Sequence, residues 1–301
     1  MDPKIVILLI ISLALSFAYS LSRKIYTSRV TGSLAPIFLF NAVASIAAIA
    51  VLILMGGIGN ISPFTFWLAI LFGLATLIQQ ISSLEAIRTG PLSLTSTLLS
   101  CSTIIPAASG AVLFGEELKL AHIIGIVLMI MSFFFAVERS ENERRASFRW
   151  LVLCLIGFLA SGSIGTMQKI HQNTEYRGEL NGFLVIAFLF SLLSSLIAFT
   201  AYLVKNKHAH KPKFEISTKE AIIMVSLMLI AGASFGAVNN LNLYLSGVME
   251  SAVFFPIVNG GSLGLTTLAA FIIFKERLTK KQWAGVIVGI ASVIFLCNPF
   301  G

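Results

Sequence analysis

Long apolar runs separated by short polar connections make up almost the whole chain. Crossing about 30 Å of hydrocarbon takes roughly 20 apolar residues in a helix, and ten runs of that kind can be counted. They are residues 4–25, 34–55, 64–87, 92–114, 120–138, 149–171, 181–204, 219–245, 250–274 and 281–298. The pattern predicts an all-α polytopic membrane protein with ten transmembrane helices.

The second half of the chain repeats motifs of the first half. The fourth and fifth runs meet in FGEELKLAHIIG (114–125), and the ninth and tenth meet in FKERLTKKQWAG (274–285). Four residues match at an offset of 160: Phe114, Glu116, Leu118 and Gly125 fall on Phe274, Glu276, Leu278 and Gly285. These matches divide the chain into three parts. Residues 1–138 are the first five-helix repeat, residues 139–148 are a basic connecting loop, and residues 149–301 are the second five-helix repeat. Because five spans is an odd number, the two repeats must enter the membrane from opposite sides, which predicts a 5+5 inverted repeat.

The first and sixth runs share a stripe of small residues that ends in a lysine. At an offset of 145, Ser12, Ser16, Ser20 and Lys24 fall on Gly157, Ser161, Gly165 and Lys169. Small residues four apart lie on one helix face and let a neighbouring backbone approach closely. We therefore expect each lysine to point toward that neighbour or the space beside it. Arg23 aligns with Gln168 and has no such counterpart, so it is interpreted as an anchor at the membrane surface.

These blocks, the glycines that follow them and the paired lysines resemble the drug/metabolite transporter superfamily, in particular its ten-span EamA-like family. The resemblance covers residues 4–298. It implies a central cavity enclosed by helices one to four and six to nine, with helices five and ten outside. It also implies transport of small metabolites or drugs, often amino acids.

Composition supports the membrane assignment. The chain is 57% hydrophobic and 11% charged, whereas a soluble chain carries about 25% charged residues. Its net charge of +8 comes from basic residues in short connections, a pattern typical of topology signals and contacts with lipid headgroups. Nucleic-acid binding is therefore not expected. Three cysteines lie far apart inside apolar runs, which argues against disulfides and metal ligation.

Polar side chains inside the spans are the candidates for substrate binding, because such groups usually face a bundle interior or a water-filled cavity. The candidates are Ser16, Tyr19, Ser20, Lys24, Gln79, Gln80, Ser100, Thr103, Lys169, Asn239, Asn242, Tyr244 and Asn259. The alternative for the hydroxyls and amides is ordinary hydrogen bonding between helices. The three asparagines in VNNLNLY (238–244) favour a ligand role more strongly, because amides both donate and accept hydrogen bonds.

Three carboxylates need separate interpretations. Glu85 precedes Arg88 by three residues, which predicts an ion pair on the helix surface. The alternative for Glu85 is a proton-coupling carboxylate in a cavity. Glu116 and Glu276 lie at the edges of connections, and we interpret both as structural residues that cap and pack helices.

The sequence favours a secondary carrier that works by alternating access, since inverted repeats are typical of such proteins. No phosphate-binding loop of the G-x-x-x-x-G-K-[ST] type occurs, and no catalytic set, metal site or cofactor is expected. An amino acid or related amine is the favoured substrate, with a proton or a counter-substrate as the coupling partner. The alternative function is a multidrug exporter of organic cations. A more remote alternative is a membrane scaffold or receptor that does not transport.

The distribution of positive charge predicts the orientation in what we expect to be a bacterial cytoplasmic membrane. Connections after the odd-numbered runs carry 17 of the 21 lysines and arginines, and cytoplasmic loops are enriched in these residues. Both termini should therefore lie outside, although EamA-like proteins more commonly have them inside. A reporter fused to the C-terminus should be active only on the outer side. Activity in the cytoplasm would contradict this prediction.

Overall fold

The apolar runs form helices in a computed structural model that describes residues 2–29, 35–89, 95, 98–136, 147–205, 218–272 and 279–296. Within these residues there are ten α-helices, two short 3₁₀ turns and no strand. The α-helices are α1 (Pro3–Arg29), α2 (Ala35–Gly56), α3 (Pro63–Thr89), α4 (Ile104–Phe114), α5 (Leu120–Ala136), α6 (Phe148–Gln172), α7 (Leu180–Lys205), α8 (Thr218–Val248), α9 (Ser251–Ile272) and α10 (Lys280–Leu296). The all-helical prediction is confirmed for the described part of the chain.

Six of these helices contain a segment that is long and apolar enough to cross a membrane: Pro3–Arg23, Ala35–Gly56, Pro63–Ser83, Phe148–Gln172, Leu180–Lys205 and Thr218–Val248. Leu98–Phe114 and Leu120–Phe135 are shorter apolar helices. These features are those of an integral membrane protein. Ten crossings stay a prediction, although each predicted span overlaps one of the ten described helices.

Local sequence explains where several helices begin and end. Pro63 takes the first position of α3, where its missing N–H costs nothing, and the Ser62 hydroxyl accepts a hydrogen bond from the Thr65 N–H at 3.2 Å. Ser147 caps α6 in the same way by accepting from the Trp150 N–H. Gly115 ends α4 in the left-handed conformation at φ 67°, which favours glycine because it has no Cβ.

The helices group into two compact units, each built from several stretches of chain. Unit 1 comprises Met1–Leu13, Ala75–Arg177 and Leu243–Gly301, and unit 2 comprises Ala14–Leu74 and Gly178–Asn242. Each unit therefore combines segments from both of the sequence repeats.

Helices α5 and α10 pack along their length in unit 1 through two matching hydrogen bonds. The Ser132 hydroxyl donates to the Gly285 carbonyl at 2.7 Å, and the Ser292 hydroxyl donates to the Gly125 carbonyl at 2.7 Å. The offset of 160 that relates the repeats converts the first bond into the second. The contact is thus made once in each direction, as at an interface with two-fold symmetry.

The small-residue stripe on α6 lies against the segment that contains α4. A Cβ on Gly157 would lie 2.8 Å from Leu99, and one on Gly165 would lie 2.9 Å from Pro106. Between these two contacts the Ser102 hydroxyl donates to the Ser161 hydroxyl at 2.8 Å. The prediction of close approach is confirmed for this repeat.

Unit 2 is organised around the pairing of α2 with α7. The hydroxyls of Ser45 on α2 and Ser191 on α7 lie 3.4 Å apart. Helix α8 approaches α2 closely, because a Cβ on Gly236 would lie 2.8 Å from the Ala48 carbonyl oxygen. Small residues therefore allow close backbone packing in this unit as well.

Replacing Gly125 by alanine should destabilise the packing of α5 against α10. The new Cβ would lie 2.6 Å from the Leu296 side chain and 3.1 Å from the Leu296 backbone nitrogen, so Leu296 cannot simply rotate away. We expect a loss of about 1–3 kcal/mol, measured as a lower unfolding midpoint of the purified protein in detergent. The control is Gly264→Ala, because no atom of the described residues lies within 4 Å of a Cβ there. Equal effects of the two changes would contradict the packing described here.

Candidate functional site

Lys169 lies in the last turn of α6 and is buried, with 4% of the residue exposed. Its ammonium group donates to the Met249 carbonyl at 2.8 Å and forms an ion pair with Glu116 at 2.5 Å. A buried ammonium is strongly unfavourable unless a counter-charge and hydrogen bonds compensate for lost hydration. Both are supplied here, by the α4–α5 connection and by the turn before α9.

Glu116 also binds the N-terminus of α9. One carboxylate oxygen accepts from the Ser251 N–H at 2.7 Å, and the other lies 3.3 Å from the Ser251 hydroxyl. Unsatisfied N–H groups and the helix dipole favour a negative charge at this position. The prediction that Glu116 caps a helix is confirmed, and we call Glu116, Lys169, Ser251 and the Met249 carbonyl the Glu116 cluster.

The connection after α4 is shaped so that Glu116 reaches this position. With Gly115 in the left-handed conformation, the Glu116 N–H turns back to bond the Gly110 carbonyl at 3.1 Å. Gly110 leaves the necessary space, because a Cβ there would collide with the Glu116 carboxylate and lie 2.6 Å from Ser251. The cluster therefore depends on two glycines as well as on the charged side chains.

Neutral polar groups meet elsewhere in unit 1, between α9 and the start of α4. The Asn259 amide donates to the Thr103 hydroxyl at 3.3 Å and to the Phe255 carbonyl at 3.0 Å. Thr103 is buried and belongs to the 3₁₀ turn Cys101–Thr103. Asn259 is exposed, although every residue of Ser251–Val258 is buried. The structure thus brings together two of the predicted site residues at a helix irregularity.

The other candidates of unit 1 do not join this pair in the contacts described. Gln79 donates to the Ser83 hydroxyl one turn further along its own helix at 3.2 Å. Gln80 and Ser100 are half-buried, and Tyr244 is exposed. Glu85 is half-buried, but the Arg88 side chain lies outside the described residues, so both interpretations of Glu85 stay predictions.

The remaining candidates belong to unit 2. The Tyr19 ring stacks on Phe235 with centroids 4.8 Å apart, and the Asn239 amide donates to the Phe235 carbonyl at 2.9 Å. Phe235 therefore connects these two predicted site residues. Ser16, Ser20 and Asn242 are half-buried. The Lys24 side chain lies outside the described residues, and so does all of Glu276, so the predicted role of each is untested.

Sequence reasoning missed that Glu116 and Lys169 form a pair, although it selected both residues separately. The available signal was the lysine on the small-residue stripe, because a buried lysine requires a nearby carboxylate. It also missed a carboxylate contact in unit 2. There Glu179 accepts hydrogen bonds from the Ser62 N–H and hydroxyl, at 2.9 and 2.8 Å.

Comparisons with known proteins give distant relatives and a fold. No family model matches the chain. An uncharacterized protein of Haemophilus influenzae is 25% identical over 203 residues, which cover 65% of this chain and 62% of that protein. A protein of Lactobacillus johnsonii named "Putative sugar uptake protein" is 24% identical over 201 residues, which cover 62% of this chain and 61% of that protein. The match thus spans about three-fifths of the length of these curated relatives.

One solved structure, described only as the crystal structure of a protein, is similar over nearly the whole chain. Its TM-score is 0.73 at 12% identity, covering 98% of this chain and 96% of the other. At this identity the likeness shows a shared fold and nothing about activity.

Replacing Lys169 alone should destabilise the protein more than replacing both members of its ion pair. Lys169→Met leaves the Glu116 carboxylate largely buried without its counter-charge, which costs about 3–5 kcal/mol. Adding Glu116→Gln removes that charge and keeps an acceptor for the Ser251 N–H, so we expect part of the loss to be recovered. Unfolding midpoints of the wild type, both single variants and the double variant complete the cycle. Strictly additive effects would show that the two side chains are not coupled.

Proposed function

We propose that the protein is a secondary membrane carrier for a small, neutral, polyhydroxylated solute such as a sugar. The observation that carries the proposal is the exposed Asn259 amide beside the 3₁₀ turn Cys101–Thr103. An exposed amide within an apolar helix is costly in lipid, so it favours a water-filled cavity or a ligand. Carriers commonly bind substrates where a membrane helix is interrupted.

The packing of α5 against α10 supports an inverted repeat. Antiparallel helices joined by Ser132–Gly285 and Ser292–Gly125 bonds are what a two-fold axis between repeats would produce. Such repeats allow one half to exchange conformations with the other, which is the basis of alternating access. This is an argument from architecture, and it is independent of the Asn259 observation.

The ion pairing of Lys169 affects which class of substrate the site favours. A free lysine would favour a carboxylate or phosphate group on the substrate, such as the carboxylate of an amino acid. Lys169 is instead neutralised by Glu116. The hydroxyl of Thr103 and the amide of Asn259 are neutral donors and acceptors, which suit hydroxyl groups. The name of the distant Lactobacillus johnsonii relative also favours a sugar.

Membership of the EamA-like family within the drug/metabolite transporter superfamily is part of the proposal. The likeness of fold over 98% of the chain is compatible with it. An organic-cation exporter is less favoured, because the described contacts of Asn259 are with a hydroxyl and a carbonyl and include no carboxylate. The proposed carrier needs no catalytic residues. The described residues contain no group of three or more potential metal ligands.

Counterflow into proteoliposomes tests this function. Vesicles loaded with unlabelled solute should accumulate labelled D-glucose or another neutral sugar more than vesicles without protein. Asn259→Ala should raise the half-saturating concentration by roughly tenfold, the effect of losing about 1.4 kcal/mol of hydrogen bonding. Parallel arms with labelled alanine and labelled tetraphenylphosphonium represent the amino acid and the organic cation.

Ser163→Ala is the matched control, since Ser163 is exposed and, among the described residues, its hydroxyl donates to the Leu159 carbonyl in its own helix. It should transport like the wild type, and Asn259→Ala should keep a wild-type unfolding midpoint. Accumulation of alanine or tetraphenylphosphonium alone would make the substrate class wrong. No accumulation above empty vesicles in any arm would contradict the carrier function itself.

A further inference from the structure

His122 is a buried imidazole with an unusual hydrogen-bonding state. It lies in the first turn of α5, and 4% of the residue is exposed. Its Nδ1 atom has no hydrogen-bond partner, and among the described residues it is the only buried side-chain polar atom in that condition. Leaving a buried polar atom unpaired costs about 1–3 kcal/mol, so the arrangement calls for an explanation.

The Glu250 carboxylate lies close to the unpaired His122 Nδ1 atom. Glu250 Oε2 lies 3.7 Å from His122 Nδ1, which is too long for a hydrogen bond and within the range of an ion pair. Glu250 immediately precedes α9, and its carbonyl accepts from the N–H groups of Val253 and Phe254. A neutral imidazole gains little from this carboxylate, whereas a protonated one forms a charge-assisted contact with it.

We propose that His122 and Glu250 form a proton-binding site at the N-terminus of α9. The site joins the same two segments as the Glu116 cluster. His122 follows Glu116 at the α4–α5 connection, and Glu250 lies between Met249 and Ser251 in the turn before α9. Proton binding therefore strengthens an existing attachment, and proton release weakens it. This goes beyond the proposed function, because it assigns a ligand, the proton, to residues that the transport argument does not use.

The charges around the imidazole are compatible with protonation. Within the Glu116 cluster the carboxylate and the ammonium neutralise each other. The Glu250 side chain is 51% exposed, so solvent can deliver and remove a proton beside it. One other titratable side chain at this end of unit 1 is buried: His171, in the last turn of α6, whose Nδ1 lies 3.1 Å from the Gln172 amide nitrogen. The charged side chains on the remaining described segments there are exposed: Asp2, Lys4, Glu117, Lys119, Glu175 and Arg177. Glu250 is thus the carboxylate placed to hold a protonated His122.

The direction of the pH effect follows from this geometry. The ion pair exists only while the imidazole carries a proton, so its contribution to stability is present at acid pH. It is lost once the pH is high enough for the imidazole to have released its proton. A residue with a merely structural role would give a difference in stability that is the same at low and at high pH.

The experiment measures unfolding midpoints of the full-length protein in detergent between pH 5 and 8, with protons as the only ligand. The variants are Glu250→Gln, His122→Gln and the double variant. Glu250→Gln should lower the midpoint by about 2 °C or more at pH 5 and have little effect at pH 8. Glu250→Gln leaves the buried imidazole in place, so it tests the proposal even where His122→Gln fails to fold.

Glu117→Gln is the matched control, because Glu117 is an exposed carboxylate of the α4–α5 connection, and its effect should not depend on pH in this way. In the double variant the effect of Glu250→Gln should disappear at every pH. A pH-independent effect of Glu250→Gln, or one that persists without His122, would overturn the proposal. Because no solute is transported in this experiment, its failure and the failure of the carrier function are separate results.

Discussion

A buried charge in a membrane protein has to be neutralised where it stands, and Lys169 is the described residue on which this constraint acts most strongly. Glu116 meets it, and the same carboxylate binds the first N–H of α9. One side chain therefore holds together the end of α6, the connection after α4 and the turn before α9. The left-handed Gly115 and the small Gly110 are consequences of that arrangement, since both are needed for Glu116 to reach its partners.

Much of the fold could be predicted from local sequence. Apolar runs predict helices because every backbone polar group must be satisfied inside the hydrocarbon, and the stripe from Gly157 to Lys169 predicts close packing because the spacing of small residues is itself a local property. The 3₁₀ turn at Cys101–Thr103 was not predicted. Pro106 has no N–H to donate to the Ser102 carbonyl four residues earlier, which gives the irregularity a local cause. The contacts that the turn makes, such as that of Ser102 with Ser161, join residues far apart in the chain.

The candidate site was harder to predict for the same reason. The sequence selected Thr103 and Asn259 separately, but their 3.3 Å contact joins residues 156 positions apart. Likewise, Glu116 was assigned a structural role and Lys169 a substrate role, and the ion pair gives the two residues a common role. Of the three asparagines in residues 238–244, Asn240 donates to the Asn181 side chain at 2.6 Å, a contact between residues 59 positions apart. The periodicity of the sequence therefore predicts which residues share a helix face. Which charged residues pair with each other can be seen only in the folded structure.

Carboxylates at helix N-termini recur in both units and bear on how such a protein can change conformation. Glu116 binds the start of α9 in unit 1, and Glu179 binds Ser62 at the start of α3 in unit 2. Each carboxylate offsets a helix dipole, and Glu116 also neutralises the buried Lys169. Breaking the Glu116 contact therefore leaves a buried charge uncompensated, which costs several kcal/mol. In the alternating carrier that we propose, the loss of such a contact in one conformation would have to be offset by another contact in the second, since neither state can be favoured by more than a few kcal/mol.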